Sequence, residues 1–136
     1  VYDRDATVED LKALQPESVE VSEIYRIGYW DTVRGRDLPS GVDLALFDFA
    51  VNSGPLRARK FLQQVLWVKQ DGIIGPKTLG ALKGRSASSV IRGVCDARLE
   101  FLRGLSHWDA FGLGWERRVT RTEDLSMALS KLGEYL

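Results

Sequence analysis

The sequence predicts a mainly α-helical protein, on three observations. Apolar residues recur at helical spacing in several windows, no strand-like alternation is sustained, and Pro and Gly fall where helices would start and stop. At 136 residues the chain is long enough for one compact domain, or one domain with a small satellite.

Taken in order, Thr7 with Asp10 has the form of a capping box opening a short helix through Leu14. Pro16 suits the first turn of a second helix, running through Val19, Ser22, Glu23 and Tyr25 towards Gly28. Tyr29-Trp30-Asp31 follows, and a polar loop with Gly35, Pro39 and Gly41 leads into an apolar helix over Leu44 to Ser53 that stops at Gly54-Pro55. Pro55 starts the next helix, in which Ala58, Phe61, Leu62 and Val65 form an i, i+3, i+4, i+7 stripe. Gln70-Asp71-Gly72 reads as a turn, Ile73-Ile74 as a short extended piece, and Gly75-Pro76 as the start of a small helix through Leu82. A polar connector, Gly84 to Ser89, precedes a longer helix whose face carries Val90, Ile91, Val94, Cys95, Arg98, Leu99 and Leu102. Phe111-Gly112-Leu113-Gly114-Trp115 is expected to interrupt the helical pattern. Leu125, Leu129, Leu132 and Leu136 are expected to be the buried stripe of a final amphipathic helix.

Composition excludes several classes. Lys+Arg and Asp+Glu both number 19, so the formal net charge is zero, and a general nucleic-acid binder needs an excess of positive charge. With one His and one Cys a zinc site would need mostly carboxylate ligands, so no metal and no other cofactor is expected. Cys95, as the single cysteine, forms no internal disulfide and reads as a small buried hydrophobe. No run approaches the roughly 20 apolar residues of a membrane span, so no membrane insertion is expected. No signal-peptide pattern is present, and the chain opens on Val1 rather than Met, as a processed chain or a fragment would.

Asp48 and Asn52 stand out on the apolar helix. Their spacing stacks both side chains on one face, and a carboxylate on a core helix is costly unless hydrogen-bonded or placed for a purpose. Two readings are open. In the structural one, Asp48 bonds backbone groups of a neighbouring loop and Asn52 caps the helix end before Gly54. In the functional one, Asp48 assists a water or a cation and Asn52 bonds an N-acetyl or hydroxyl group.

Asp71-Gly72-Ile73-Ile74-Gly75-Pro76-Lys77-Thr78, a D-G-x-x-G-x-x-T element after the L-Q-x-x-L run Leu62 to Leu66, resembles a peptidoglycan-binding repeat. Around it, in order, stand Tyr29-Trp30-Asp31, Phe47-Asp48-x-x-Val51-Asn52-Ser53-Gly54 and Phe111-Gly112-x-Gly114-Trp115-x-x-Arg118. Together they resemble the glycoside hydrolase family 108 N-acetylmuramidases, lysozyme-like proteins also called secretion-activating proteins, from about Thr7 to about Arg118. The resemblance implies a lysozyme-like catalytic part, residues 1–54 here, continuing into a small helical peptidoglycan-binding part, residues 55–136. It also implies hydrolysis of the β-1,4 bond between N-acetylmuramic acid and N-acetylglucosamine, with peptidoglycan glycan strands as the partner. The place of action implied is the bacterial cell wall, in the periplasm or during phage lysis.

That family carries its catalytic glutamate in an N-terminal E-G-G-Y motif, followed by a Pro/Asp/Gly-rich segment and a G-I-T, and none of these occurs here. Val1 is expected to fall after them, so the chain is expected to be incomplete as an enzyme. Glycoside hydrolysis needs a protonated acid of raised pKa and usually a second carboxylate. The eight glutamates, Glu9, Glu17, Glu20, Glu23, Glu100, Glu116, Glu123 and Glu134, all sit in polar or helix-surface patterns, and none replaces the missing acid. Glu116, beside Arg117-Arg118, is expected to make a surface ion pair. The candidate site therefore consists of Asp48 as auxiliary carboxylate, with Tyr29, Trp30, Asn52 and Asp71 as substrate-binding residues. Sugar faces stack on aromatic rings, which favours Tyr29 and Trp30 at the rim of a cleft. Trp67 fits either core or surface, Trp108, Phe111 and Trp115 are expected to pack a C-terminal subcore, and His107 is a loop residue. A second copy or a partner segment is expected over apolar surface left open by absent first elements. Two other classes stay open: a noncatalytic peptidoglycan-binding module, and a secretion or assembly scaffold.

Overall fold

A computed structural model of the chain describes residues 18–135, with six α-helices and no strand among them. The expected helix from Thr7 to Leu14, the Pro16 start, Glu9, Glu17 and Leu136 lie outside the described residues.

Helix α1, Ser18–Tyr25, runs on into a π-helical turn, Arg26–Trp30, so Tyr29 and Trp30 continue the helical path past Gly28. A 3-10 turn, Gly35–Asp37, leads to α2, Val42–Ser53. Then come α3 (Pro55–Val65), α4 (Pro76–Lys83), α5 (Ala87–Arg103) and α6 (Trp108–Glu134). Pro55 and Pro76 each occupy the first turn of their helix, where a missing N–H costs nothing. Ser86 caps α5 by accepting a hydrogen bond from the Ser89 N–H at 3.2 Å, so the polar connector is shorter than expected.

The apolar helix α2 is the axis of the fold. It packs against α3, α5 and α6 and buries Val42, Ala45, Leu46, Phe49 and Ala50. Gly54, at φ +96°, ends α2 and turns the chain directly into α3. Edge-to-face contacts then link three helices: Phe49 to Phe61 at 5.3 Å between ring centroids, and Phe61 to Phe101 at 5.8 Å. Buried apolar side chains on both sides of Gly54, from Val33 to Val119, form a continuous core. The stripes expected on α3 and α5 are inward-facing, and Cys95 is buried as expected.

The C-terminal third departs from expectation twice. Phe111 to Trp115 does not interrupt anything, and α6 passes through it without a break. The indole of Trp108 lies on Gly112, where a Cβ would come within 2.5 Å of ring carbons, so this glycine makes room for a ring rather than ending a helix. The second departure is the buried face of α6. It is formed by Val119, Thr122, Ser126 and Ser130, while Leu125, Leu129 and Leu132 stand 52%, 38% and 61% exposed. The cause is a close approach to the start of α2. Gly41 has φ +92°, and a Cβ on it would sit 2.3 Å from the Ser126 carbonyl oxygen. Serines and a threonine let the helix come this near, and leucines would hold it away. Ser40 Oγ donates to the Leu129 carbonyl at 3.1 Å across the same contact.

Candidate functional site

The functional candidates divide between two neighbourhoods. The first is built on α2. Asp48 is surrounded by groups from α5 and α6: Arg98 Nη1 donates to its Oδ2 at 2.8 Å, Arg118 Nη2 to its Oδ1 at 2.9 Å, Arg118 Nε to Oδ2 at 3.3 Å, and Thr122 Oγ1 to Oδ2 at 3.0 Å. The two arginines differ in setting. Arg98 is 1% exposed and lies over the Phe49 ring, 5.6 Å from its centroid, whereas Arg118 is 32% exposed. Burial by itself would raise the Asp48 carboxyl, but the hydrogen bond from Arg118 and the charges of Arg98 and Arg118 outweigh it. The acid is therefore held below the usual carboxylate range. Burial also makes Arg98 somewhat less basic, against the opposing pull of Asp48.

Chemically, this arrangement clamps three helices and is poorly suited to proton transfer. A carboxylate that accepts from two guanidinium groups and a hydroxyl stays ionised and is already engaged. The accessible part of the cluster is Arg118, on the flank of α6 that also carries Leu125, Leu129 and Leu132.

Trp30 approaches α2 at the residue before Asp48. Its ring packs edge-to-face on Phe47 at 5.9 Å, and it rests on Gly35, where a Cβ would lie 2.4 Å from ring atoms. Tyr29, half-buried, packs on the core and is 5.9 Å from the Tyr25 ring. Thus Trp30 meets α2 at Phe47, the chain neighbour of Asp48, and all three residues are partly exposed, while Asp48 itself faces α5 and α6. Asn52, one turn after Asp48, is buried and its Oδ1 accepts from the neighbouring Ser53 hydroxyl at 3.1 Å. The end of α2 is capped by the Gly54 N–H bonding to Ala50, not by Asn52.

Asp71 belongs to the second neighbourhood. Its Oδ1 accepts from the Ile73 N–H and from Gln63 Nε2, both at 2.9 Å. The Ile73 N–H and the Gln63 amide hold the carboxyl below its ordinary value. Gln63, buried on α3, organises the whole D-G-x-x-G-x-x-T loop. Its Nε2 also reaches the Ile73 carbonyl at 2.9 Å and Thr78 Oγ1 at 3.2 Å, while its Oε1 accepts from the Gly72 N–H at 2.8 Å. Arg59 Nε donates to the Gly72 carbonyl at 2.6 Å, tying the loop to α3, and Arg34 Nη1 donates to the Ile74 carbonyl at 2.8 Å, tying it to the segment before α2.

Sequence reasoning missed Arg98, Thr122 and Gln63 as organising residues. The signal for Arg98 was present: a charge on the apolar stripe of α5 matches a charge on the apolar α2. Among the glutamates, Glu116 pairs with Arg103 at 4.0 Å rather than with its chain neighbours, and Glu23 bonds Arg26 at 2.6 Å. The Glu123 carboxyl is pushed up by partial burial and then by Asp96. Trp108 and Trp115 pack on the core, whereas Phe111 is exposed. Among the described residues no group of three potential metal ligands gathers, and no helix is long and apolar enough to cross a membrane.

The glycosyl hydrolase 108 family model matches residues 1–54 and so ends at the Gly54-Pro55 junction. No curated protein matches the chain. The solved structure of Brucella abortus SagA is similar, with a TM-score of 0.82 and 46% sequence identity, over 93% of this chain and 72% of that one. Identity at that level over nearly the whole chain, together with the helical architecture and the family match, indicates a function of the peptidoglycan-hydrolase type. The chain belongs to the glycosyl hydrolase 108 family.

Proposed function

We propose that the protein is an N-acetylmuramidase acting at the bacterial cell wall. It would cleave the β-1,4 bond between N-acetylmuramic acid and N-acetylglucosamine, with its general-acid glutamate supplied by an E-G-G-Y segment that this sequence does not include. The observation that carries the reading is the pair of contacts made by consecutive residues of α2, Phe47 with the Trp30 ring and Asp48 with the partly exposed Arg118. An aromatic edge and an anchored cation held by consecutive residues suit a glycan, whose rings offer apolar faces and whose substituents accept hydrogen bonds.

In this proposal Asp48 is a positioning residue, fixing Arg118 and the three helices, and not the auxiliary carboxylate. The auxiliary role would require the group to give up four existing bonds. Asn52 supports the end of α2, Trp30 and Tyr29 form the rim, and Asp71 shapes the loop of a peptidoglycan-binding part after Gly54. Leu125, Leu129 and Leu132, on the same flank of α6 as Arg118, offer an apolar bed for the acid-bearing segment. A second copy of the chain is the competing occupant, and light scattering showing a dimer would favour it.

The experiment is digestion of purified peptidoglycan by the protein with its upstream segment, followed by borohydride reduction and mass analysis of the fragments. New reducing ends on muramic acid are expected. Reducing ends on glucosamine, or no cleavage, would overturn the proposal. The 136-residue chain alone is expected to release nothing.

A noncatalytic peptidoglycan-binding role is the second reading, favoured by the ordered loop that Gln63 and Asp71 hold together. It predicts that the protein with its upstream segment sediments with peptidoglycan but leaves the glycan chains intact. A secretion or assembly scaffold would do neither.

A further inference from the structure

Helix α3 ends in a Schellman motif. The Val68 N–H bonds to the Gln63 carbonyl at 3.1 Å and the Trp67 N–H to the Gln64 carbonyl at 3.2 Å, which places Trp67 at the position after the cap. That position takes a left-handed backbone and is ordinarily glycine. Here it is tryptophan, at φ +59°. A bulky side chain in this conformation costs stability, and such strain persists where something else is gained. Packing does not provide the gain, because Trp67 is 91% exposed, the highest of the large apolar side chains described.

The strained residue borders a groove between the end of α3 and α5. The two helices approach closely there: a Cβ on Gly93 would lie 2.7 Å from the Val65 side chain. The groove has a volume of ≈ 690 Å³; its lining is mixed, with Val65, Val68 and Ala97 beside Trp67 and polar groups that include Gln64, Gln70, Arg85, Asp96 and Glu100. The groove is open to solvent, wide enough to receive one sugar ring on its surface. Arg85 Nη1 donates to the Val65 carbonyl at 3.2 Å, so one wall is fixed to the last turn of α3. A flat exposed ring beside amides, carboxylates and a guanidinium is the chemistry that receives a pyranose. The ring stacks on the C–H face, and the polar groups bond hydroxyl and acetamido substituents.

We infer that Trp67 and the groove beside it form a glycan-binding subsite for an N-acetylhexosamine unit, apart from the cluster around Asp48 and adjoining the Asp71 loop, with which it shares Val68. The inference deepens the proposed function and rests on its glycan-directed reading. The backbone strain at Trp67 is the stability given up to present the ring.

The test uses the whole chain, with an N-acetylglucosamine tetramer and purified peptidoglycan as probes. Wild type, Trp67→Gly, Trp67→Ala and Trp67→Phe are titrated with the tetramer by calorimetry and sedimented with peptidoglycan, and all four are melted. Trp67→Gly and Trp67→Ala should weaken tetramer binding by about tenfold, and Trp67→Phe should retain most of it. Trp67→Gly should at the same time raise Tm, because it relieves the left-handed strain, so lost binding cannot be ascribed to misfolding. Equal binding by wild type and Trp67→Gly would overturn the subsite. Trp67-dependent binding of a free stem peptide without binding of the tetramer would overturn the sugar assignment. Failure of wild type to bind either probe would remove both the subsite and the glycan-directed reading. Trp67-dependent tetramer binding with no muramic reducing ends in the digestion would leave the subsite standing and end the muramidase proposal alone.

Discussion

Replacing Asp48 with asparagine tests the most consequential contact in the molecule. The change keeps size and shape but removes the charge opposed to Arg98 and Arg118. Arg98 is the sensitive partner, since it is 1% exposed and its Nε and Nη2 already lack hydrogen-bond partners within the protein. Breaking a buried ion pair from one side typically costs about 3–5 kcal/mol, because the remaining charge has neither water nor counter-ion. In Asp48→Asn the new amide would keep an oxygen for one donor, and the Phe49 ring would still face the guanidinium, so the lower end, ~3 kcal/mol, applies. For a chain of this size that corresponds to a fall in Tm of roughly 10 °C. The pH dependence fixes the sign independently. Because the folded-state acid is held below its unfolded value, its stabilisation is complete above the unfolded pKa, about 4, and is lost as pH falls through the folded value. The gap between wild type and Asp48→Asn should therefore be widest near neutral pH and close in acid. Urea unfolding at pH 7 and pH 3, together with Arg98→Met and the double variant, measures both effects. A gap under about 0.5 kcal/mol at pH 7, or strict additivity of the two substitutions, would refute the clamp.

Other perturbations have equally direct outcomes. Gly41→Ala combines a positive φ with a Cβ that would meet the Ser126 carbonyl, and should cost about 3 kcal/mol in denaturant unfolding; a change under about 1 kcal/mol would contradict the packing of α6 on α2. Glu123→Gln should raise Tm modestly at pH 7 and not below about pH 4, since a carboxyl whose folded pKa is raised stabilises the protein only while it is protonated. Thermal melts at both pH values check this, and a lower Tm at pH 7 would sink it. The Cys95 thiol, pushed up to about 12 chiefly by burial, should stay unmodified by thiol reagents at pH 8 until the protein unfolds. Its labelling rate should follow the unfolding rate measured by fluorescence. Gln63→Leu should cost about 2 kcal/mol by leaving the Gly72 N–H and the Asp71 carboxylate short of partners, and hydrogen exchange should show the loss within residues 71–78.

How far the sequence can be read depends on whether the decisive contact is local. Pro55, Pro76, Gly54 and the stripe on α3 specify their elements with neighbouring residues alone, and the helical architecture follows from them. Asp48 is conspicuous for the same reason, as a charge on a greasy helix. Its partners are hidden because they lie 50, 70 and 74 residues away, and nothing in Arg98, Arg118 or Thr122 alone points back to position 48. The face of α6 reads inside out, since hydrophobicity favours leucine for the buried side while close approach to Gly41 selects serine. Gly112 reads as a break because the ring it accommodates, that of Trp108, sits on the preceding turn. Trp67 gives no local sign of its exposure, which depends on the handedness of the backbone at the end of α3.

The four bonds at Asp48 also bear on how this chain can be rearranged by recombination. The family match ends at Gly54, a tidy place to cut in sequence. Yet the aspartate before that junction is neutralised entirely by side chains after it. Exchanging residues 55–136 for another helical module would leave Asp48 on an apolar helix without a counter-charge, and exchanging the first 54 would do the same to Arg98. The two halves are therefore expected to be inherited together, and a viable chimera would have to carry both arginines or give up all three charges at once.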